Sequence, residues 1–228
     1  MQVIEKPTNY AEKLQVINAM KDRFKTLSED FQQRQNDLKR KVAEREDKNN
    51  ALLEEHGKVN AEMEALNTFS EEAKNDMKAA MVVYEKGIEM MKDLSSNDLI
   101  ALVQLLNPDP EIVAVMNGVQ SVLCKAIGWE NAVKNVTSKD FMYSIGEVDY
   151  EKLQFETVEK VRNYKKQYST SSVVGKNKSA GAFGTWLEGI CLVRDILDDK
   201  MADLKERQAK ANLSAQTYNE NKQKLEAF

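Results

Sequence analysis

A seven-residue repeat decides the fold, and it is clearest between residues 51 and 94, in ALLEEHGKVNAEMEALNTFSEEAKNDMKAAMVVYEKGIEMMKDL. It begins at Tyr10 and does not slip before Leu94. Eleven of its thirteen d positions are apolar: Tyr10, Ile17, Phe24, Phe31, Leu38, Arg45, Leu52, Val59, Leu66, Ala73, Ala80, Gly87 and Leu94. An apolar repeat with a 3.5-residue period over so many heptads is typical of a coiled coil. We therefore predict that residues 1–94 hold the first coiled-coil helix, starting near Asn9 after a disordered lead.

The a positions of this repeat are less regular. Half of them are polar or charged, mostly before Met63, and they include Lys21, Gln35 and Asn49. Polar a positions weaken a coiled coil and make it tolerant of alternative pairings. The single histidine, His56, also falls on an a position, where we interpret it as a buried or snorkelling residue of the seam.

The composition supports long helices. The chain of 228 residues contains only 9 Gly and 3 Pro, and 31% of its residues are charged. So few breakers argue against an all-β fold, while high charge with narrow apolar seams favours an all-α one. The net charge of −4 gives no reason to expect nucleic-acid binding. No apolar run approaches the length of a membrane span, so no membrane partner is expected.

The amino-acid composition changes in the middle of the chain, and the heptad repeat stops there. Asn107-Pro108-Asp109-Pro110 forbids a continuous helix, and residues 95–189 hold both tryptophans and seven of the nine glycines. From Ile190 the heptad returns as far as Phe228. We predict a small helical head at 95–189, a returning coiled-coil helix at 190–228, and antiparallel pairing of the two long helices. The predicted fold is an all-α, long antiparallel coiled-coil stalk capped by a small helical-bundle head.

The two arms differ in length. The second arm covers 190–228 and the first covers 10–94, so residues 10–50 have no heptad partner in this chain. We expect the sequence to be a piece of a longer protein, and pairing with another chain is the alternative. A fold-back at 47–50 is a third possibility, but the unbroken heptad argues against it.

Candidate catalytic chemistry is absent from the sequence. No phosphate-binding glycine loop, nucleophile elbow or zinc-ligand spacing is present, and we expect no catalytic site, no metal and no cofactor. Cys124 and Cys191 cannot form a disulfide framework and are interpreted as small buried apolar groups in a protein from a reducing compartment.

A run of bases is the strongest remaining feature. Between Lys160 and Trp186 there are six basic residues and no acid, although residues 94–190 as a whole are nearly neutral. A local basic patch on a neutral domain suits an acidic protein surface better than DNA. An ordinary solvated face explains the run equally well.

Short motifs in the middle segment resemble a known family. They occur in one order between the two heptad arms, and they are NPDPEIVAVM (107–116), GW (128–129), DFM (140–142), VD (148–149), EKVRNY (159–164) and SAGAFGTWL (179–187). Together they resemble the stalk and microtubule-binding domain of dynein heavy chains over about residues 95–205, whereas the first arm is similar only as a coiled coil.

The resemblance implies a function. The head would dock on tubulin, its affinity would be set by register sliding of the two stalk helices, and ATP turnover would occur in a ring outside this chain. The implied partners are the microtubule and the rest of the dynein heavy chain, in the cytoplasm and cytoskeleton, with a lean towards a ciliary or flagellar axoneme. The implied tubulin-facing residues are Lys125, Lys139, Lys176 and Lys178, with Lys165 and Lys166 as secondary candidates.

Three positions depart from the family pattern. A lysine usual in the first head helix falls on Val113, the second proline of the Asn-Pro-Pro step falls on Asp109, and a proline common in the returning arm falls on Ala202. The first departure bears on tubulin affinity and the last on a kink between head and arm. The alternative function is a coiled-coil scaffold whose head binds another protein.

Overall fold

The computed structural model describes residues 10–227, which form helices joined by turns and loops with no strand among them, and this confirms the all-α prediction. The predicted disordered lead lies outside these residues. The helices are α1 (Tyr10–Lys92), α2 (Ser96–Val103), α3 (Pro110–Val122), α4 (Trp129–Val136), α5 (Phe141–Gly146), α6 (Phe155–Lys165), α7 (Thr170–Lys176), α8 (Lys178–Asp195) and α9 (Met201–Glu226). A 3₁₀ turn covers Tyr150–Lys152, and a π-helical turn, Ile196–Lys200, joins α8 to α9.

Helix α1 passes through 47–50 without a break, so the chain does not fold back there. It ends at Lys92, close to the point where the heptad ends. Ser95 then caps α2 by accepting the Asp98 backbone N–H, while the Asp98 carboxylate accepts the Ser95 backbone N–H. This reciprocal pair satisfies two of the unpaired N–H groups at a helix start and fixes the turn between α1 and α2.

The described chain forms two compact units. One contains Met63–Lys210, and the other contains the residues up to Glu62 together with those from Ala211. In the second unit, α1 and α9 pack antiparallel: the ring of His56 lies 5.1 Å from that of Tyr218, and Asn221 donates to both carboxylate oxygens of Glu55 at 3.3 and 3.1 Å. His56 is therefore a seam residue, as predicted, although it is exposed rather than buried.

In the unit Met63–Lys210, α1 and α8 also run antiparallel and approach very closely. A Cβ atom on Gly87 would lie 2.5 Å from the Trp186 Cα, and one on Gly189 would lie 2.3 Å from the Tyr84 Cα. Small residues at these two crossing points let the backbones touch. The predicted boundary between the head and the returning helix, at 189/190, falls inside α8, which is one continuous helix from Lys178 to Asp195.

The core of this unit is built from α3, α6 and α8. Trp186, Phe183, Phe141 and Met116 are almost completely buried, and the rings of Phe141 and Phe183 meet edge to face at 5.6 Å between centroids. Burial of side chains of this size contributes about 1.5–3 kcal/mol each. The helices between Ser96 and Asp195 thus supply nearly all of this core.

The returning helix departs from the prediction at the π turn. The heptad predicts an unbroken helix from Ile190, but the backbone widens between Ile196 and Lys200 before α9 begins. A π turn accommodates one extra residue per turn, and the a/d pattern of apolar residues carries no sign of such a local insertion. Lys200, at the end of the turn, pairs with Asp76 on α1.

The two cysteines differ in environment. Cys191 is buried as predicted, and burial, with a smaller contribution from the charge of Asp195, raises its thiol pKa to about 12. Cys124 is exposed, so the prediction of a buried group is wrong there. It lies in the turn after α3 with φ of 55°, which turns its side chain away from the core. Among the helices of residues 10–227, none has the length and apolar character needed to cross a membrane.

Candidate functional site

The six candidate lysines all belong to the unit Met63–Lys210, and acids from distant parts of the chain hold two of them most firmly. Lys176, the last residue of α7, donates to Asp109 Oδ2 at 2.7 Å and to Glu111 Oε2 at 2.6 Å. Both acids stand at the start of α3, where Asp109 also accepts the Glu111 backbone N–H at 2.9 Å. We call Lys176, Asp109 and Glu111 the Lys176 clamp. It ties the end of α7 to the beginning of α3.

The α7 segment contributes two further hydrogen bonds to the clamp. Ser172 Oγ donates to Glu111 Oε2 at 2.6 Å, and the Ser169 backbone N–H donates to Glu111 Oε1 at 3.2 Å. Hydrogen bonds from Lys176, Ser172 and Ser169 together lower the pKa of Glu111 to about 2. The hydrogen bonds that Lys176 donates to Asp109 and Glu111 raise the pKa of Lys176. All three charges are therefore retained at neutral pH.

Lys178 is held in a similar way at the start of α8. Its Nζ donates to Asp98 Oδ2 at 2.9 Å and to the Asp93 carbonyl oxygen at 3.1 Å. The hydrogen bond from Lys178, followed by those from the Ser95 backbone and hydroxyl, lowers the pKa of Asp98 to about 2. Lys178 thus joins α8 to the turn that connects α1 with α2, while more than half of its side chain stays exposed.

The two secondary candidates lie at the end of α6. Lys165 Nζ is 3.5 Å from Glu188 Oε1 and 5.0 Å from the centre of the Tyr168 ring, and its side chain is only 23% exposed. Lys166 is exposed and donates to Asn163 Oδ1 at 3.5 Å. Of the pair, only Lys166 offers its charge to solvent without an acid beside it.

Lys125 and Lys139 lie in the connections that follow α3 and α4, and both are exposed. The backbone N–H of Lys125 donates to the Gln120 carbonyl oxygen at 2.8 Å, which fixes the turn that carries it. Within residues 10–227, no acid forms an ion pair with either lysine, so together with Lys166 they are the candidates that present an unpaired positive charge.

The basic run between Lys160 and Trp186 is therefore not a continuous patch of unpaired charge. In the sequence it contains no acid, but the fold brings Asp109, Glu111 and Asp98 to its lysines from α2 and α3. Lys176 and Glu111 are 65 residues apart in the sequence, and Lys178 and Asp98 are 80 apart, so no local pattern predicts these pairings.

A second charged cluster was not among the sequence candidates. Arg162 on α6 contacts Glu159 at 2.6 Å, Asp195 at 2.5 Å and Asp198 at 3.5 Å. Burial opposes the charge of Arg162, but hydrogen bonds to Glu159 and Asp195 outweigh it and raise the Arg162 pKa. Arg194 completes the cluster by binding Asp198 at 2.7 Å. The cluster attaches α6 to the π turn.

Part of this cluster could have been found in the sequence. Glu159 and Arg162 are three residues apart and Arg194 and Asp198 four apart, which are spacings that place side chains together on a helix. The contacts of Arg162 with Asp195 and Asp198, which link the two pairs, could not have been found in this way, because they join α6 to the end of α8 and the π turn. Asp198 is mostly covered, since only 23% of its side chain is exposed.

No protein-family model matches the sequence, and no curated protein matches it.

Proposed function

We propose that this chain is the stalk and microtubule-binding head of a dynein heavy chain, in which the part of α1 after residue 50 and residues 190–227 form an antiparallel coiled coil and the helices between them form the head. The observation that carries the proposal is the antiparallel packing of α1 on the returning helix. It is present in each compact unit, through Tyr84 and Gly189 in one and through His56 and Tyr218 in the other. The family-like motifs lie between these two helical arms in the sequence.

The head supplies a reversible binding surface rather than a catalytic one. Lys125, Lys139 and Lys166 offer unpaired charge to the acidic surface of tubulin, which supplies steering and a salt-sensitive attraction. Lys176, Lys178 and Lys165 contribute less, because each already lies beside an acid. The partners are tubulin and the rest of the heavy chain, and the location is cytoplasmic and cytoskeletal, with an axonemal form favoured.

Affinity is coupled to the register of the two arms. The polar a positions leave neighbouring registers close in energy, so small biases at either end can shift the population between them. The Lys200–Asp76 pair marks the register described above, and the π turn beside it is a place where a helix can take up or release one residue.

Cosedimentation of the whole chain with microtubules, at low and high salt, tests this function. The arms are locked by a disulfide in three separate variants, each of which carries Lys200→Cys together with Asp76→Cys, Glu72→Cys or Ala80→Cys. Glu72 and Ala80 lie four residues to either side of Asp76. All three variants also carry Cys124→Ser and Cys191→Ala, which remove the native cysteines. We expect pelleting in at least one register, weakened by salt, and a difference of about tenfold in affinity between registers, the size typical of coupled sites. Failure to pellet in all three registers overturns the proposal.

The scaffold alternative is supported by a specific observation, which is that acids of the head itself hold Lys176 and Lys178. On this alternative the lysines stabilise a helical cap and microtubules are not bound. The triple variant Lys125→Ala, Lys139→Ala and Lys166→Ala separates the two functions. Tubulin binding predicts that the parent chain pellets with microtubules and that the triple variant does not, while the controls Lys134→Ala and Lys152→Ala in the same unit pellet like the parent. The scaffold predicts no pelleting of the parent or of any variant.

A further inference from the structure

The N-terminal part of α1 carries a long apolar face that nothing in the described chain covers. Its members between residues 10 and 42 are all exposed, and they are Tyr10, Leu14, Ile17, Met20, Phe24, Leu27, Phe31, Leu38 and Val42. Phe24 is 76% exposed and Phe31 69%, which is unusual for aromatic side chains repeated along one face. We call this set the N-terminal stripe.

The stripe continues an interface that exists farther along the same helix. Leu52 and Val59 are the next d positions after Arg45, and both are wholly or partly buried in the unit where α1 packs against α9. The same row of side chains is therefore covered after residue 50 and uncovered before it. Continuity of the row indicates that the occupant of the stripe is another amphipathic helix.

The charges beside the stripe define that helix further. In a coiled coil the e and g positions flank the seam and face the partner. Between residues 11 and 41 these positions hold five bases and no acid, and the bases are Lys13, Lys25, Arg34, Lys39 and Lys41. Within residues 10–227 none of the five takes part in an ion pair. The acids of this region occupy the outward positions, as Asp22, Glu29, Asp30 and Asp37 do.

Flanking positions do meet across the covered part of the helix. Glu55 is the g position two heptads after Lys41, and its carboxylate accepts both hydrogen bonds from Asn221 on α9. Side chains at the equivalent positions of the stripe would face their partner in the same way. Five bases on these flanks would repel a second copy of this helix in either orientation, because its own flanks are equally basic.

We propose that the N-terminal stripe binds an amphipathic α-helix whose flanks are acidic, with glutamate or aspartate opposite these five bases. The inference does not depend on tubulin binding, since it concerns residues 10–42 alone. The apolar row supplies affinity, and the charge pattern selects the partner and excludes self-association.

The probes are three synthetic helices of about five heptads, the length of the stripe, with identical leucine and isoleucine seams and with Glu, Gln or Lys at every e and g position. Binding of the whole chain to each labelled helix is followed by fluorescence anisotropy at low and high salt. We expect the Glu helix to bind at least about tenfold more tightly than the Lys helix at low salt, because several weak surface pairs add together. The Gln helix should be intermediate, and salt should narrow the difference.

Two matched variants test the role of the flanks. Arg34→Glu with Lys41→Glu reverses two flanking bases and should lose most of the preference for the Glu helix. Arg23→Glu with Arg40→Glu changes the net charge equally at outward positions and should keep it. Circular dichroism checks that both variants remain helical.

Four results would overturn the proposal. These are equal binding of the Glu and Lys helices, no binding of any of the three, the same loss of preference in both variants, or a dimer of the chain in analytical ultracentrifugation that Phe24→Asp dissociates. The last result would make a second copy the occupant of the stripe.

Discussion

Lys176 and Asp109 are direct partners, with Lys176 Nζ donating to Asp109 Oδ2 at 2.7 Å across a separation of 67 residues. Asp109 is the position where the resembled family has its second proline, and Lys176 is one of the lysines that the resemblance assigns to tubulin. The departure and the candidate binding residue are thus physically coupled. The acid both caps α3 and pairs with this lysine, which Glu111 also contacts.

The proposed function predicts that releasing Lys176 from this acid strengthens microtubule binding. Asp109→Asn keeps a side-chain oxygen that can cap α3, since Asn and Asp are equally good N-caps, but it removes one negative charge beside Lys176. We expect about a two- to fivefold increase in affinity at low salt, the size of one surface charge interaction, measured by cosedimentation. Asp140→Asn changes the net charge equally at an exposed position in the same unit. An equal gain from Asp140→Asn would show that only net charge matters.

The close approach of α1 and α8 predicts a strong effect at Gly87. A methyl group there would meet the Trp186 backbone at 2.5 Å, and backbone atoms cannot move aside without separating the helices. Gly87→Ala should therefore lower the free energy of unfolding by about 1–3 kcal/mol, as overpacking does. Gly175→Ala on α7 has nothing within 4 Å and should instead raise stability by up to about 1 kcal/mol, because alanine favours helix. Thermal and urea denaturation measure both, and equal effects would contradict the packing.

After residue 50 the heptad predicts much of the fold, because the burial of α1 follows it there. Ala73 and Ala80 are d positions and are 1% and 4% exposed, so the apolar period identifies the contact face of α1 directly. Gly87 is one of the two d positions that break the apolar rule, and the close passage of the Trp186 backbone explains it. A repeat in the sequence reports which face is covered, but it does not report how near the partner backbone comes.

The charged contacts could not be predicted in the same way. Lys178 and Asp98 are 80 residues apart, and their contact depends on how the start of α8 packs against the turn between α1 and α2. The π turn at Ile196–Lys200 likewise depends on tertiary contacts, since Asp195 and Asp198 bind Arg162 from another helix. Sequence patterns carry local periodicity, whereas these features arise from three-dimensional packing.

Acid should weaken the unit Met63–Lys210 through Asp98. Its pKa falls from an ordinary value of 3.8 to about 2 in the folded protein, so the folded state binds this proton less readily than the unfolded state. The resulting stabilisation is complete above about pH 4 and is lost as the pH falls through about 2. Asp98→Asn removes it at all pH values, so the difference in unfolding free energy between the parent and the variant should shrink between pH 5 and pH 2.

The control for this titration is Asp140→Asn. The Asp140 side chain is exposed and makes no capping hydrogen bond, so its replacement changes the net charge equally without removing a contact of this kind. Chemical denaturation at each pH measures the free energies. A gap between parent and Asp98→Asn that stays constant from pH 5 to pH 2 would show that the Lys178–Asp98 contact does not perturb this carboxyl group.

The Arg162 cluster should couple α6 energetically to the π turn. Arg162 is 18% exposed but Asp195 is 51% exposed, so solvent screens their contact and we expect a coupling energy of about 1 kcal/mol or less. A double-mutant cycle with Arg162→Met and Asp195→Asn, followed by urea denaturation, measures it. The exposed pair Arg207–Asp203 lies within α9 and does not connect helices, so the same cycle there should give a smaller coupling. Hydrogen exchange of the amides between Ile196 and Lys200 should also quicken in Arg162→Met, because this variant loses the side chain that contacts Asp195 just before the π turn and Asp198 within it. A zero coupling energy with unchanged exchange would mean that the π turn forms independently of α6.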